Sequence, residues 1–564
     1  MTGQAAAGGG AATVRPRRGA RRWLVGCLTI VLLVALALVG AVALVWARAT
    51  VDTTGAVSFD RPLAIPPLAE SRIEDGRRVF DLRVQEGTTD FGVGDEPSLT
   101  WGYNGSYLGP TLRATRGEHV QVNVTNEVGE TTTTHWHGHH LPAEMDGGPH
   151  QPIEPGQTWS PHWTIDQPAA TTWYHPHLHG ATAAHVYRGL AGMFILDDAN
   201  SLALDLPSTY GVDDIPLIVQ DRAFDSAGRV VDRAPMFSPV GSLGDTVLAN
   251  GTVGGYLEVT TELVRLRLLN GSNARVYDFG FSDGREFSLI ATDGGLLPAP
   301  HVTDHVQLSP GERAEIVVAM RPGEDVVLRS RDPDLGAGFL ERFSGGDDSF
   351  DVVQLRAADR LAPSPPLPQR LAPPPDLDPT DARVTRTFRM GDMNINGASM
   401  DMGRIDEVVE VDSTEIWEVS NADGVPHSFH VHDVQFRVVA VDGRPPGPEL
   451  SGWKDTVYVA PGGTVRLVLR FTDYTDPDSP YMYHCHVLAH EDLGMMGQFV
   501  VVEPGQRPAL PPAAGHDSGG HDPGGHDHGG RDFGGSRGHD HGEGGGHDPG
   551  GGGHEHGGGR GHDH

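Results

Sequence analysis

Residues 481–496 read YMYHCHVLAHEDLGMM, with histidines on both sides of Cys485, a third at 490 and a methionine at 495. In an extended strand, side chains at i and i+2 share a face and the one between points the other way. His484 and His486 therefore present two imidazoles side by side, and Cys485 is turned to the opposite face. Its thiolate can then hold one metal ion while its two neighbours hold a different pair behind it. With His490 and Met495 following, and His427 on another strand, the donors are two His, a Cys and an axial Met, the set of a blue-copper electron-transfer site. Zinc prefers a closed tetrahedral site and has no redox use for a cysteine flanked by other ligands.

The same spacing recurs in His135-Trp136-His137, His175-Pro176-His177 and His430-Val431-His432, the last within HSFHVH (427–432). One H-x-H pair is ordinarily two surface histidines. Four of them, two near each end of the globular body, can hold three metal ions if they converge.

Between about residues 60 and 505 the chain reads as all-β. Alternating or β-branched runs recur, among them HVQVNVTN (119–126), YLEVTTELVRLRLLN (256–270), RAEIVVAM (313–320), TEIWEVSN (414–421), TVRLVLRF (464–471) and GQFVVVEP (497–504). Gly, Pro, Asp and Asn turns separate them, and long amphipathic helical patterns are scarce, which predicts β-sandwiches or barrels. A weak internal repeat suggests three copies: 109–128, 253–272 and 406–423 each give a strand, a polar turn and a strand ending in Asn or Ser. The Pro-rich APSPPLPQRLAPPPDLDP (362–379) looks like the linker before the third copy.

At the N-terminus, Arg15, Arg17, Arg18, Arg21 and Arg22 precede an uncharged apolar run from Trp23 to Ala47. The run exceeds the ~20 residues needed to span a bilayer, and the arginines place residues 1–22 in the cytoplasm. Residues 23–47 are thus expected to be a transmembrane anchor or an export signal. Arg21-Arg22-Trp23-Leu24-Val25 also resembles a twin-arginine signal. Either way the body is expected to be extracytoplasmic. The tail, 505–564, turns from Gly515 into Gly, His and Asp with little else, and is expected to be disordered. Its HD, HDH and HEH units suit loose binding of copper or a divalent metal; a solvated acidic spacer is the alternative.

The formal net charge of −33 resides in the body, since the basic N-terminus and the acidic tail cancel. So acidic a surface argues against nucleic acid and anionic lipid as partners and is compatible with cationic ones. Only Cys27 and Cys485 are present, which excludes a disulfide framework.

Taken together, the four motifs resemble the multicopper oxidases, over about residues 60–503. The segments HWHGHHLPAEMDGGP (135–149), IDQPAATTWYHPHLHG (165–180), RGLAGMFIL (188–196) and HCHVLAHEDLGMM (484–496) are most similar to the bacterial copper-efflux, or cuprous, oxidases. Bilirubin oxidases and bacterial laccases share the same ligands. The resemblance implies three cupredoxin domains, placed at 58–200, 210–358 and 385–504, with residues 359–384 as the linker and no copper in the middle domain. It implies four copper ions: type 1 on His427, Cys485, His490 and Met495, and type 2 on His135 and His430. One type 3 ion falls to His137, His175 and His484, the other to His177, His432 and His486. Electrons would enter at His427 or His490 and pass through Cys485 to His484 and His486, reducing O₂ to water.

Asp146 and Glu491 match acids near the cluster in the family and are candidates for proton delivery, with turn chemistry or capping as the other role. Asp423 matches a position that holds substrate Cu(I). The expected reductant is therefore Cu(I), for copper tolerance, with phenols or other small organic reductants as the alternative. The Met-rich Cu(I)-gathering segment of copper-efflux oxidases is missing; the corresponding stretch offers only Met390, Met393, Met400 and Met402. A non-catalytic copper-sequestering protein is the third class. His139, His140, His150, His179, His185, His301 and His305 match no ligand position.

Overall fold

A computed structural model describes Gly3, Gly8 and residues 18–509; the expected disorder and metal binding of the tail beyond Ala509 lie outside the described residues. Strands dominate, forming six sheets that fall into three successive pairs, with strands from Ser71 to Asp197, from Asp214 to Ala362 and from Val384 to Val502. The alternation read in the sequence sets one face of each outer strand inward. His119–Asn126 alternates between half-buried and buried positions along its whole length, as a strand with one face on a core requires. The strand Asp214–Arg222 is buried throughout.

The internal repeat has a definite structural meaning. In each copy the two strands flanking the polar turn belong to different sheets of a pair, so the turn carries the chain across the sandwich. Leu112–Thr115 runs parallel to Phe194–Asp197, and His119–Asn126 parallel to Arg78–Val84. The same two parallel pairings recur around Gly255–Thr261 and Leu263–Asn270, and around Glu407–Glu410 and Ser413–Asn421.

Two boundaries differ from expectation. Arg61–Pro62, assigned by sequence to the first domain, pairs with Gly255–Tyr256 at the edge of a middle sheet, and Leu63 enters that unit's core. The strand Gly255–Thr261 would otherwise be an open edge, and the incoming chain covers it. At the linker, Asp359–Ala362 prolongs the strand Phe350–Ala362. Leu371 and Leu377 pin the Pro-rich segment by inserting into two small apolar clusters.

The helix Arg18–Arg48 contains the apolar span Arg22–Arg48, long enough to cross a membrane, with no residue of its most apolar stretch buried by the rest of the chain. At 1.5 Å per residue that span is about 40 Å, against a hydrocarbon thickness of about 30 Å.

Candidate metal centre

Strand pairing brings the H-x-H motifs together two by two. In the first unit His135–His137 lies antiparallel to Ala170–His175, with His135 opposite His175. In the third unit His427–Val431 lies antiparallel to Tyr481–Cys485, with His430 opposite His484. The two sheets then face each other, and all eight imidazoles are buried.

Six of the eight rings have one nitrogen engaged by a backbone carbonyl or a carboxylate. His135 Nδ1 donates to the Asp146 carbonyl at 2.9 Å, and His430 Nδ1 to the Asp455 carbonyl at 2.8 Å. Their Nε2 atoms are buried without any partner. His175 Nδ1 donates to the Pro176 carbonyl, His432 Nδ1 to Asp146 Oδ2 at 2.7 Å, and His137 Nε2 to Asp455 Oδ1 at 3.0 Å. What remains is inward-facing nitrogen: His177 Nε2 and His432 Nε2 lie 3.0 and 3.3 Å from His484 Nε2. His137 Nδ1 lies 3.4 Å from His175 Nε2. Both nitrogens of His486 lack a partner. Buried polar atoms are rarely left so, and nitrogens aimed at one another with their outer edges held by carbonyls and carboxylates are how ligating histidines are oriented. Burial, reinforced by the neighbouring rings, pushes His137, His175, His177, His430, His432 and His486 well below the usual imidazole range. They are neutral, the form that binds metal.

These distances correct one expectation. His484, assigned by sequence beside His137 and His175, instead joins His177 and His432 in one cluster of close donors. His486 sits against His137 and His175, with ring centroids 4.9 and 5.2 Å away. The i, i+2 rule gives both rings the same face but not their position along the strand. Strand pairing sets that, by placing His484 opposite His430 and His486 one step beyond the last paired residue.

Cys485 faces away from this cluster, as its place in the strand requires. Its Sγ lies 3.5 Å from His427 Nδ1 and 3.7 Å from His490 Nδ1, and Met495 packs in the same core cluster. Burial pushes the Cys485 thiol up to about 12, so a thiolate there calls for a bound cation. His427 Nε2 donates to Asp423 Oδ2 at 3.2 Å, and His490 Nε2 to the Pro239 carbonyl at 3.0 Å. Glu491 is wholly buried, 3.4 Å from His177 Nδ1 and 3.3 Å from His484 Nδ1. Its carboxyl is raised well above the ordinary range by burial, with Asp492 adding to the effect.

Among the remaining histidines, His140 is held between Asp433 and Asp473, at 2.8 Å from each. His139 meets Thr172, His150 meets Gln498 and His185 meets Thr132. His179 and His305 are exposed.

Sequence reasoning missed the support beneath the cluster. Asp455 holds His137 with its carboxylate and His430 with its carbonyl, and it is clamped by Arg313 through bonds of 2.7 and 2.6 Å. Arg313 comes from the middle unit and also donates to the Thr171 carbonyl of the first. Gly311, with φ of +87°, lies flat against His486, where a Cβ would fall 3.0 Å from the ring. The middle unit, expected to hold no copper, thus braces the site. The one visible signal was the charged pair Lys454-Asp455 at the head of a buried strand.

Two family models described as multicopper oxidase match residues 84–201 and 370–505. Cell division protein FtsP of Dickeya dadantii is 39% identical over 451 residues, covering 78% of this chain and 92% of the relative. Multicopper oxidase mco of Staphylococcus epidermidis is 35% identical over 448 residues, with the same coverage. Among solved structures, the laccase from Pediococcus acidilactici is 37% identical, with a TM-score of 0.71, covering 78% of this chain and 94% of that one. With sites suited to three classes of copper and an oxidoreductase's donor set, the chain belongs to the multicopper oxidase family.

Proposed function

We propose that this oxidase takes electrons one at a time from Cu(I) at the Asp423–His427 edge and uses them to reduce O₂ to water, serving copper tolerance on the extracytoplasmic side of a membrane. The observation that carries the reading is the hydrogen bond from His427 Nε2 to Asp423, whose side chain keeps 21% of its surface open to solvent. A carboxylate in that position attracts a cation and touches a proposed type 1 ligand directly. The stoichiometry is four Cu(I), one O₂ and four protons, giving four Cu(II) and two waters.

The proposed ligands are those of the sequence reading, with His484 and His486 exchanged between the type 3 positions. When bound, the coppers supply one-electron oxidation at Cys485 and four-electron reduction of O₂ among the eight histidines. Cys485 links the two sites through one peptide unit to either neighbour. Asp146 and Glu491 stand against the outer nitrogens of the cluster, where they can hold protons that O₂ reduction consumes. Of the four methionines in residues 390–402, Met390 is buried in the core and Met393 packs against it; Asp423 touches His427 directly, which makes it the better candidate for receiving Cu(I). A part in cell division, suggested by the name of several relatives, needs no electron transfer; the complete donor set supports turnover instead.

Asp423→Asn is expected to lower kcat/KM for Cu(I) about tenfold, equivalent to about 1.4 kcal/mol, with the blue absorption retained; steady-state O₂ uptake against Cu(I) concentration measures it. An unchanged kcat/KM would remove Asp423 from substrate binding. Glu491→Gln keeps the shape but not the proton, and is expected to slow O₂ uptake about 100-fold at unchanged copper content, as read by an oxygen electrode and metal analysis.

A further inference from the structure

The body holds the outer end of the N-terminal helix without a linker. Trp46 packs on Phe339 and Phe343 at ring distances of 5.2 and 5.7 Å, and the Arg342 guanidinium lies 5.1 Å over its ring. Arg342 also donates to Thr50 Oγ1 at 2.7 Å, Val51 N donates to Asp348 Oδ1 at 2.7 Å, and Thr53 N donates to the Ser349 carbonyl. Such a seat suits a helix that stays attached. Trp23 and Trp46 bracket a span of about 34 Å, and tryptophans mark the two membrane–water boundaries. Around the seat Met236, Phe237 and Phe339 are 68%, 68% and 71% exposed, an apolar rim at the level where the hydrocarbon ends.

A cavity of about 590 Å³ opens between helix and body, its walls including Leu44, Val45 and Arg48 of the helix and Met236, Leu243 and Asp245 of the body. Its size and its mixture of apolar wall with a few polar groups suit a small amphipathic molecule. Its far wall is thin. Leu243 belongs to the core cluster that contains Cys485 and Met495. Gly241 approaches Ala489 so closely that a Cβ would lie 2.6 Å from that residue's own. In the same segment the Pro239 carbonyl accepts the hydrogen bond from His490 Nε2 at 3.0 Å. One stretch of chain, residues 235–245, therefore has the cavity on one side and His490 on the other.

We propose that this cavity admits a membrane-dissolved hydroquinone, giving the enzyme a second electron entry through His490, distinct from the Asp423–His427 edge. The apolar walls at Leu44 and Val45 continue the hydrocarbon layer and suit an alkyl tail, and Arg48 and Asp245 suit the two hydroxyls. Each hydroquinone loses two electrons and two protons and leaves as quinone. Two of them supply the four electrons and four protons that convert one O₂ to two waters. The inference goes beyond the Cu(I) reading and does not depend on it.

The test uses the full-length chain in phosphatidylcholine vesicles. A photoreactive azido-decylbenzoquinone is applied to metal-free protein, and crosslinked peptides are mapped by mass spectrometry. Saturable labelling of residues 44–51 and 235–245 is expected, with loss of labelling in Met236→Glu, a substitution at an exposed side chain, and in the cavity-filling Ala49→Trp. In copper-loaded vesicles, the rate with decyl-hydroquinone relative to the rate with Cu(I) is expected to fall at least tenfold in either variant. Labelling elsewhere, or an unchanged ratio in both variants, overturns the proposal. Labelling of the cavity in a chain that does not oxidise Cu(I) supports the cavity and sinks the Asp423 reading instead.

Discussion

Replacing Cys485 with serine is expected to remove the blue absorption, lower copper by one ion per chain and cut O₂ uptake roughly 1,000-fold or more, since ~4 kcal/mol of barrier already accounts for that factor. The reason is positional. Among the described residues, Cys485 is the one whose side chain reaches His427 and His490 while its two chain neighbours carry rings of the other cluster. A hydroxyl in place of the soft sulfur weakens the copper site and removes the link from one site to the other. The fold should tolerate the change, because serine is close in volume and the strand Tyr481–Cys485 is paired on both sides. Copper analysis, the visible spectrum and an oxygen electrode check the three parts separately. Retention of O₂ uptake with the blue band gone would show that electrons reach the histidine cluster by another path.

Arg313→Met is expected to cost about 3–5 kcal/mol of stability, the range for removing one partner of a buried ion pair. The guanidinium is entirely enclosed and spans three units through Asp455, the Thr171 carbonyl and the Gly311 carbonyl. Without it the Asp455 carboxylate stays buried with no cation in contact, the nearby Lys454 being engaged by Asp293 and Glu312. Because Asp455 orients His137 and His430, the variant should also bind copper in the histidine cluster about 10–100-fold more weakly. Denaturant unfolding of the metal-free chain measures the first effect, and chelator competition the second. Arg313→Met with Asp455→Asn should be less destabilised than Arg313→Met alone, because the unpaired charge is gone. If the single variant loses under 1 kcal/mol, the middle unit does not brace the site in this way.

Much of this was legible in the sequence because strand periodicity and metal ligation share one rule. The spacing of His484, Cys485 and His486 dictates opposite faces, and the structure puts sulfur and rings on opposite faces. The three strand–turn–strand repeats were equally visible, since alternation needs only local sequence. What local sequence does not carry is register between strands, and two of the corrections follow from that. His484 and His486 exchange places because the pairing of His430 with His484 sets their depth in the site. Arg61–Pro62 leaves the first unit because a distant strand edge needs cover. Arg313, Asp455 and Gly311 escaped notice because each is ordinary in its own segment and acquires a role only when three units meet. The seat for Trp46 was hidden for the same reason: its partners lie about 300 residues away in the chain.

The most direct measurement is a single-turnover cycle on the copper-loaded chain. Anaerobic addition of Cu(I) should bleach a blue thiolate-to-copper band, and admission of O₂ should restore it with consumption of oxygen and no accumulation of hydrogen peroxide. A chain that binds its full copper complement yet is neither bleached by Cu(I), a phenol or a hydroquinone nor consumes O₂ would contradict the oxidase reading and leave a copper-binding protein without turnover.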